Sequence, residues 1–200
     1  KIKEGGYSEK KHLDIWNDIF AEESSKLIKF RNNFIASVNN FFSEAHYFIS
    51  GISKSPCIKY INSLSIVDKE DIIKKLEENY RKEILLGITL QGPQRDNYLF
   101  TDRNGEDCIP FCSQGQKRAI ALAMKSSEIM YIEKNNKKKP VVLVDDIFSE
   151  LDEKRRKNVF ELFKNNYQVL FTTVNPESII KNGFAECTLF NIHDGMVEKK

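Results

Sequence analysis

The stretch Pro140–Asp152, PVVLVDDIFSELD, constrains this chain more than any other. Val141, Val142, Leu143 and Val144 form an almost wholly β-branched apolar run, the pattern of a strand buried on both faces of a parallel sheet. Asp145 and Asp146 follow at its C-terminal end, where open α/β sheets place their ligand sites. Two adjacent carboxylates are costly to hold together unless a cation or a proton transfer uses them. In nucleotide hydrolases acids so placed hold Mg²⁺ and activate water. Taken alone, the hexapeptide reads equally well as a strand that ends in two solvated aspartates.

The rest of the composition narrows the setting. Two hundred residues, 40% hydrophobic and 30% charged, can bury a sizeable core in one or two domains. A net charge of +2 does not by itself argue for nucleic acid. No apolar run reaches membrane-spanning length and no signal-peptide pattern is present, so no membrane partner is expected and the location is read as cytoplasmic. Four cysteines without a CxxC pair or a nearby histidine suggest reduced thiols, not zinc or disulfides. The opening on Lys1 reads as part of something longer.

Residues 1–12 read as a polar, frayed entry. From Leu13 to about Ile49 there is neither Pro nor Gly. Apolar residues recur at Leu13, Trp16, Phe20, Leu27, Phe34, Val38, Phe41, Ala45 and Phe48, predicting one long amphipathic helix. It is either half of a helical hairpin or an ordinary core helix. Cys57–Leu64 alternates as a half-buried strand, and Val67–Leu86 reads as a helix with Ile72, Ile73, Leu76, Tyr80 and Ile84 on one face. Asn104-Gly105 predicts a hairpin joining Tyr98–Asp102 to Asp107–Phe111.

Ser113 and Gln116 in SQGQ have capping-box spacing and open a helix to about Lys134, with Ile120, Ala123, Met124 and Met130 inward. Gly115 allows close approach of a neighbour, and a helix N-terminus with a hydroxyl is a natural phosphate site. Plain capping accounts for the same tetrapeptide. Ser149 or Asp152 can cap a helix to Asn165 that buries Val159, Phe160 and Phe163. Tyr167–Val174 reads as a further buried strand, and Cys187–Ile192 with Met196–Glu198 as a hairpin about Asp194-Gly195. The alternation of strands and helices after Gln116 predicts a mostly parallel sheet.

SQGQKR, then VVLVDD-IFSELD-EKRR, then QVLFTT, resembles the C-terminal half of the RecF family, bacterial recombination-repair ATPases related to ABC/SMC heads. The segment GPQRDN resembles that family's GPHRDD, departing from it at Gln94 and Asn97. The resemblance implies an α/β fold, the C-terminal lobe of such a head over residues 87–200, with a helical arm segment over 1–86. It implies ATP and Mg²⁺ as cofactors, held between two subunits of an ATP-dependent homodimer. DNA, double-stranded or at a single/double-strand junction, and RecR- or RecO-like repair proteins are the implied partners, in gap repair and the SOS response. Ser113, Gln114, Gly115 and Gln116 would be the signature motif, meeting ATP held by the partner subunit. Asp145 would orient Mg²⁺, Asp146 would be the base for the attacking water, and Ser149, Glu150, Leu151 and Asp152 would form the D-loop. Thr172 and Thr173 stand where related ATPases carry a switch histidine, and Arg95 is a further candidate within GPQRDN.

A nucleotide-cradling loop needs G-x-x-x-x-G-K-[ST]. Gly87 and Gly92 have the glycine spacing, but Pro93-Gln94 replace the Lys-Ser/Thr. The phosphate loop is therefore expected on an N-terminal segment outside these residues, and this chain alone is expected to be inactive. Two other readings fit: half of another SMC-like or ABC ATPase, or a non-catalytic interaction domain with the same fold.

Overall fold

The computed structural model describes residues 7–145, 152–163, 167–174, 176–181 and 187–200. The chain divides into two compact units, Lys1–Asn40 with Pro56–Phe111, and Phe41–Ser55 with Cys112–Lys200. The motif boundary at 86/87 falls inside the first of them. Among the described residues no helix is long and apolar enough to cross a membrane.

Helix α1, Tyr7–Ser50, begins within the stretch expected to fray and runs 44 residues. Gly51 ends it with φ +71°, its N–H donating to Tyr47 O at 2.8 Å. Its buried face is only in part the one expected: Val38 and Ala45 are buried, and Leu13, Phe20, Phe34 and Phe41 are half-buried. Ile28, Ile35, Phe42 and Ile49 are buried, whereas Leu27, Phe48 and Trp16 are exposed. The sequence holds two apolar rows one residue apart, 27/34/41/48 and 28/35/42/49. The second is flanked by the small buried side chains Ala21, Ser24, Ser25 and Ala45, which let neighbouring elements pack closely.

In the first unit, β1 (Cys57–Ile61) pairs antiparallel with β2 (Asn97–Thr101), Tyr60 opposite Tyr98. Asn39 of α1 clamps β1 as a backbone would: Nδ2 donates to Ile58 O and Oδ1 accepts from Ile58 N, both at 2.8 Å. Helix α2, Lys69–Leu86, packs Ile72 and Leu76 with Ala21, Ile28 and Leu64 into one core. The hairpin expected about Asn104-Gly105 does not form a second strand. The Asp102 carboxylate takes the N–H groups of Asn104 and Glu106, a turn in which Gly105 but not Asn104 has positive φ. The chain returns through a single bridge, Thr101 to Asp107, before Pro110, which has no N–H to offer a strand, turns it away.

The most buried ionic group of this unit is Asp96, whose side chain is 1% exposed. It accepts from Arg31 Nη1 at 2.9 Å, from Ser63 N at 2.9 Å, and from the Tyr60 hydroxyl. Arg31 Nη1 also donates to Pro93 O at 2.7 Å. One carboxylate thus joins α1, β1 and the 3₁₀ turn Pro93–Arg95. Burial, followed by the bond to Asp96, pushes the Tyr60 phenol up to about 12.

In the second unit, α3 (Gln114–Asn136) buries Ala119, Ile120, Ala123, Ser126 and Ser127. Strand β3 (Val142–Asp145) lies parallel to β4 (Val169–Thr172), in register Val142↔Val169 to Asp145↔Thr172. This is the parallel pairing expected; the other two pairs of the described residues are antiparallel. Burial on both faces is not found. Val142 and Val144 point inward, while Val141 and Leu143 are exposed, Leu143 by 74%. The described sheet is two strands wide, and one face is covered: α4 (Glu153–Phe163) buries Val159, Phe160 and Phe163, with Phe160 edge-on to Phe171 at 5.5 Å. The Tyr167 hydroxyl donates to Glu133 Oε2 at 2.5 Å, tying the end of α3 to the entry of β4. A short helix, α5 (Pro176–Lys181), precedes the hairpin β5 (Phe190–His193) and β6 (Met196–Lys199). Asp194 and Gly195 both have positive φ, as a two-residue primed turn requires.

Asp96→Ala is expected to lower the stability of the first unit by about 3 kcal/mol, because it strands a guanidinium and a phenol. Tyr60→Phe, which removes one hydrogen bond, is expected to cost about 1 kcal/mol. Urea titration followed by a probe in this unit checks both, and equal effects would contradict the assignment.

His46, 3% exposed, offers a second test. Ser55 Oγ donates to Ser43 O, so it accepts from His46 Nδ1 at 3.1 Å. Burial lowers the imidazole below its ordinary 6.5. The folded form then binds fewer protons than the unfolded one, so stability is full above about pH 6.5 and falls as the pH drops toward the depressed value. Denaturation midpoints between pH 7.5 and 5 should show this slope, and His46→Gln should reduce it.

Candidate functional site

The first turn of α3 is built by its own side chains. Ser113 Oγ accepts from Gln116 N at 3.3 Å, and Gln116 Oε1 accepts from Ser113 N at 2.8 Å. The capping box read from the sequence is present. Ser113 and Gln114 are exposed, Gly115 and Gln116 half-buried, and the first turn carries no acidic residue. The positive end of a helix dipole, with no acid in its own first turn, is thus presented at a partly exposed surface, an arrangement suited to an anion.

At the strand end, Asp145 is exposed and sits opposite Thr172 in the β3–β4 register. Thr172 Oγ1 donates to Asp145 Oδ1 in a short hydrogen bond. Thr173 follows, half-buried. The hydroxyl fixes one carboxylate oxygen. A carboxylate at a strand end suits Mg²⁺, which keeps waters and takes one or two carboxylates plus substrate phosphates. Among the described residues no group of three or more His, Cys, Asp or Glu side chains is clustered for a metal. Asp146, Ser149, Glu150 and Leu151 lie outside the described residues.

Asp152 caps α4: Oδ1 accepts from Arg155 N at 2.8 Å, and Oδ2 pairs with Arg155 Nη1 at 2.7 Å. The Arg155 guanidinium rests on Gly115, so the close approach that Gly115 permits is occupied by this side chain. Arg155 was missed in the sequence; its signal is the i, i+3 spacing from Asp152. Two groupings of the candidate residues result, Asp145 with Thr172, and Asp152 with the SQGQ turn through Arg155. Arg95 belongs to the first unit, exposed, with Nε donating to Thr89 O at 3.2 Å. Gly87 is the left-handed cap of α2 and Gly92 packs where a Cβ would meet the Phe20 ring at 2.6 Å. Those two glycines serve a helix end and close packing, not a phosphate.

A parallel strand pair ending in an acid and a helix opened by a capped SQGQ turn thus stand in one α/β unit of the chain. A solved structure described as the recombination mediator protein RecF with ATP in the RecFOR pathway matches 99% of this chain and 52% of its own, with a TM-score of 0.80 and 29% identity. The DNA replication and repair protein RecF of Listeria innocua is 34% identical over 193 residues, and that of Lactobacillus johnsonii 32% over 198. Each match covers 94% of this chain and 52% of the relative, so the chain spans about half the length of the curated relatives it matches. No family model matches the sequence. The chain belongs to the RecF family and corresponds to its C-terminal portion.

Ser113→Ala removes the cap and should cost α3 about 1 kcal/mol, while Ser113→Asp should keep it. Hydrogen exchange at the Gln116 amide is the direct readout, and it should quicken only in the alanine variant.

Proposed function

We propose that this chain is the C-terminal part of a RecF-like, ATP-dependent DNA-binding protein that acts as a recombination mediator in gap repair. Residues 1–86 supply a helical arm and 87–200 the catalytic lobe. ATP is bound between two subunits and drives their dimerisation on double-stranded DNA or a single/double-strand junction, with RecR- or RecO-like proteins as partners in the bacterial cytoplasm. The observation that carries this reading is the reciprocally capped Ser113–Gln116 turn, with no acid in the first turn of its helix, within a chain similar to RecF proteins over 94% of its length.

On this reading Ser113, Gln114, Gly115 and Gln116 meet the terminal phosphate of ATP held by the other subunit, through amides and a hydroxyl. Asp145 holds Mg²⁺, oriented by the Thr172 hydroxyl in a position where related ATPases carry a histidine. The metal supplies charge neutralisation at the phosphates. Asp146 accepts the proton of the attacking water, and Ser149–Asp152 run between subunits. Thr173 supports the strand beside Thr172. Arg95 takes no part in the nucleotide site. The phosphate loop comes from a segment beyond these residues, so Mg-ATP titrated into this chain alone should show no micromolar binding.

In the full-length polypeptide, Ser113→Arg should abolish dimerisation with a non-hydrolysable ATP analogue yet leave nucleotide binding by the monomer. Asp146→Asn should bind ATP and turn it over about a hundredfold more slowly or worse. Sedimentation, nucleotide titration and phosphate release measure these. Normal dimerisation of Ser113→Arg would return SQGQ to a plain helix cap.

A further inference from the structure

Arg155 is on α4, yet its guanidinium covers the first turn of α3. A Cβ built on Gly115 would stand 2.7 Å from Arg155 Nη1 and 3.5 Å from Cζ. Asp152 holds the group there through Oδ2 while its other oxygen caps α4. Arg155 Nε is buried with no hydrogen-bond partner among the described residues. A cation against the positive end of a helix costs free energy, and the Asp152 carboxylate, half exposed to water, offsets this only in part. Geometry must therefore hold the guanidinium: Gly115 gives it room and Asp152 Oδ2 accepts from its Nη1.

We infer that Arg155 is a positioning residue that ties the turn at Asp152 to the Ser113–Gln116 turn, so that the two segments move as one. The inference rests on the proposed function for its consequence. There, the SQGQ turn meets phosphate from one direction and the Asp152 segment meets the second subunit, and Arg155 makes closure of either dependent on the other. Lysine cannot replace it, since a point charge on a flexible stem lacks the rigid planar group whose Nη1 reaches both Gly115 and Asp152 Oδ2.

The test is a double-mutant cycle in the full-length polypeptide, with Gly115→Ala, Arg155→Ala and both. Hydrogen exchange without nucleotide should quicken about tenfold at the first turn of α3 in Arg155→Ala, and about tenfold at the first turn of α4 in Gly115→Ala, as for residues in contact. In the double variant the second change should add less than about twofold. Additive effects overturn the inference, as does full restoration by Arg155→Lys. Gly115→Ala leaves the arginine in place and decides the matter by itself if Arg155→Ala does not fold: no change at α4 overturns the inference. With an ATP analogue, Arg155→Ala should weaken dimerisation about tenfold at unchanged monomer nucleotide affinity. Dimerisation equal to wild type overturns the inference and spares the proposed function. Non-additive exchange in a protein that never dimerises supports the tie and refutes ATP-driven dimerisation instead.

Discussion

A carboxylate almost wholly removed from water governs the first unit. The Asp96 side chain is 1% exposed, which is tolerable only because three donors converge on it from α1, β1 and the residue after Asn62. The requirement propagates. Arg31 must reach across to it and, on the way, takes Pro93 O; Ser63 must present its N–H and then uses its hydroxyl on the backbone of Gly92. The GPQRD turn is thereby fixed from both sides, and its glycine sits too close to Phe20 and Gln94 for any side chain. The segment that resembles the GPHRDD of RecF proteins is, in its Gly, Pro and Asp, a packing and charge-satisfaction device. Gln94, Arg95 and Asn97 are its exposed members.

Local chemistry was legible in the sequence. The capping box of α3 and the Asp194-Gly195 turn depend on residues three apart or adjacent, so their spacing alone defines them. The core of α4 was equally plain, since Val159, Phe160 and Phe163 are its only large apolar residues besides Leu162. Non-local choices were not. Two apolar rows on α1 satisfy helical periodicity equally, and which one is buried depends on partners far along the chain. The partner of β1 is β2, whose register begins 36 residues later, and the Arg31–Asp96 pair spans 65. The Asn104-Gly105 signal marked a real reversal, with Thr101 bridged to Asp107, but Asp102 takes the Asn104 and Glu106 amides and no second strand follows.

At the candidate site residue types and their order were legible in the sequence, and the fold added links between them. Thr172 was singled out for the histidine it lacks; in the structure it holds the carboxylate opposite, which parallel register makes inevitable once β3 and β4 pair. Arg155 escaped notice because a basic residue in the first turn of a charged helix looks like solvent-facing decoration. Its meaning depends on a glycine forty residues earlier.

The outward face of β3 and β4 has a practical consequence. Leu143 and Leu170 are cross-strand neighbours, exposed by 74% and 50%, with Val141 at 54% beside them. Apolar side chains aligned on adjacent strands form a contiguous greasy strip, and water gains free energy whenever two such strips meet. Handled by itself, this chain should therefore lose solubility in part through this strip, regaining some when Leu143 is exchanged for threonine and losing more as salt is added. Crystallisation screens, concentration steps and expression trials would all feel it before any chemistry at Asp145 does.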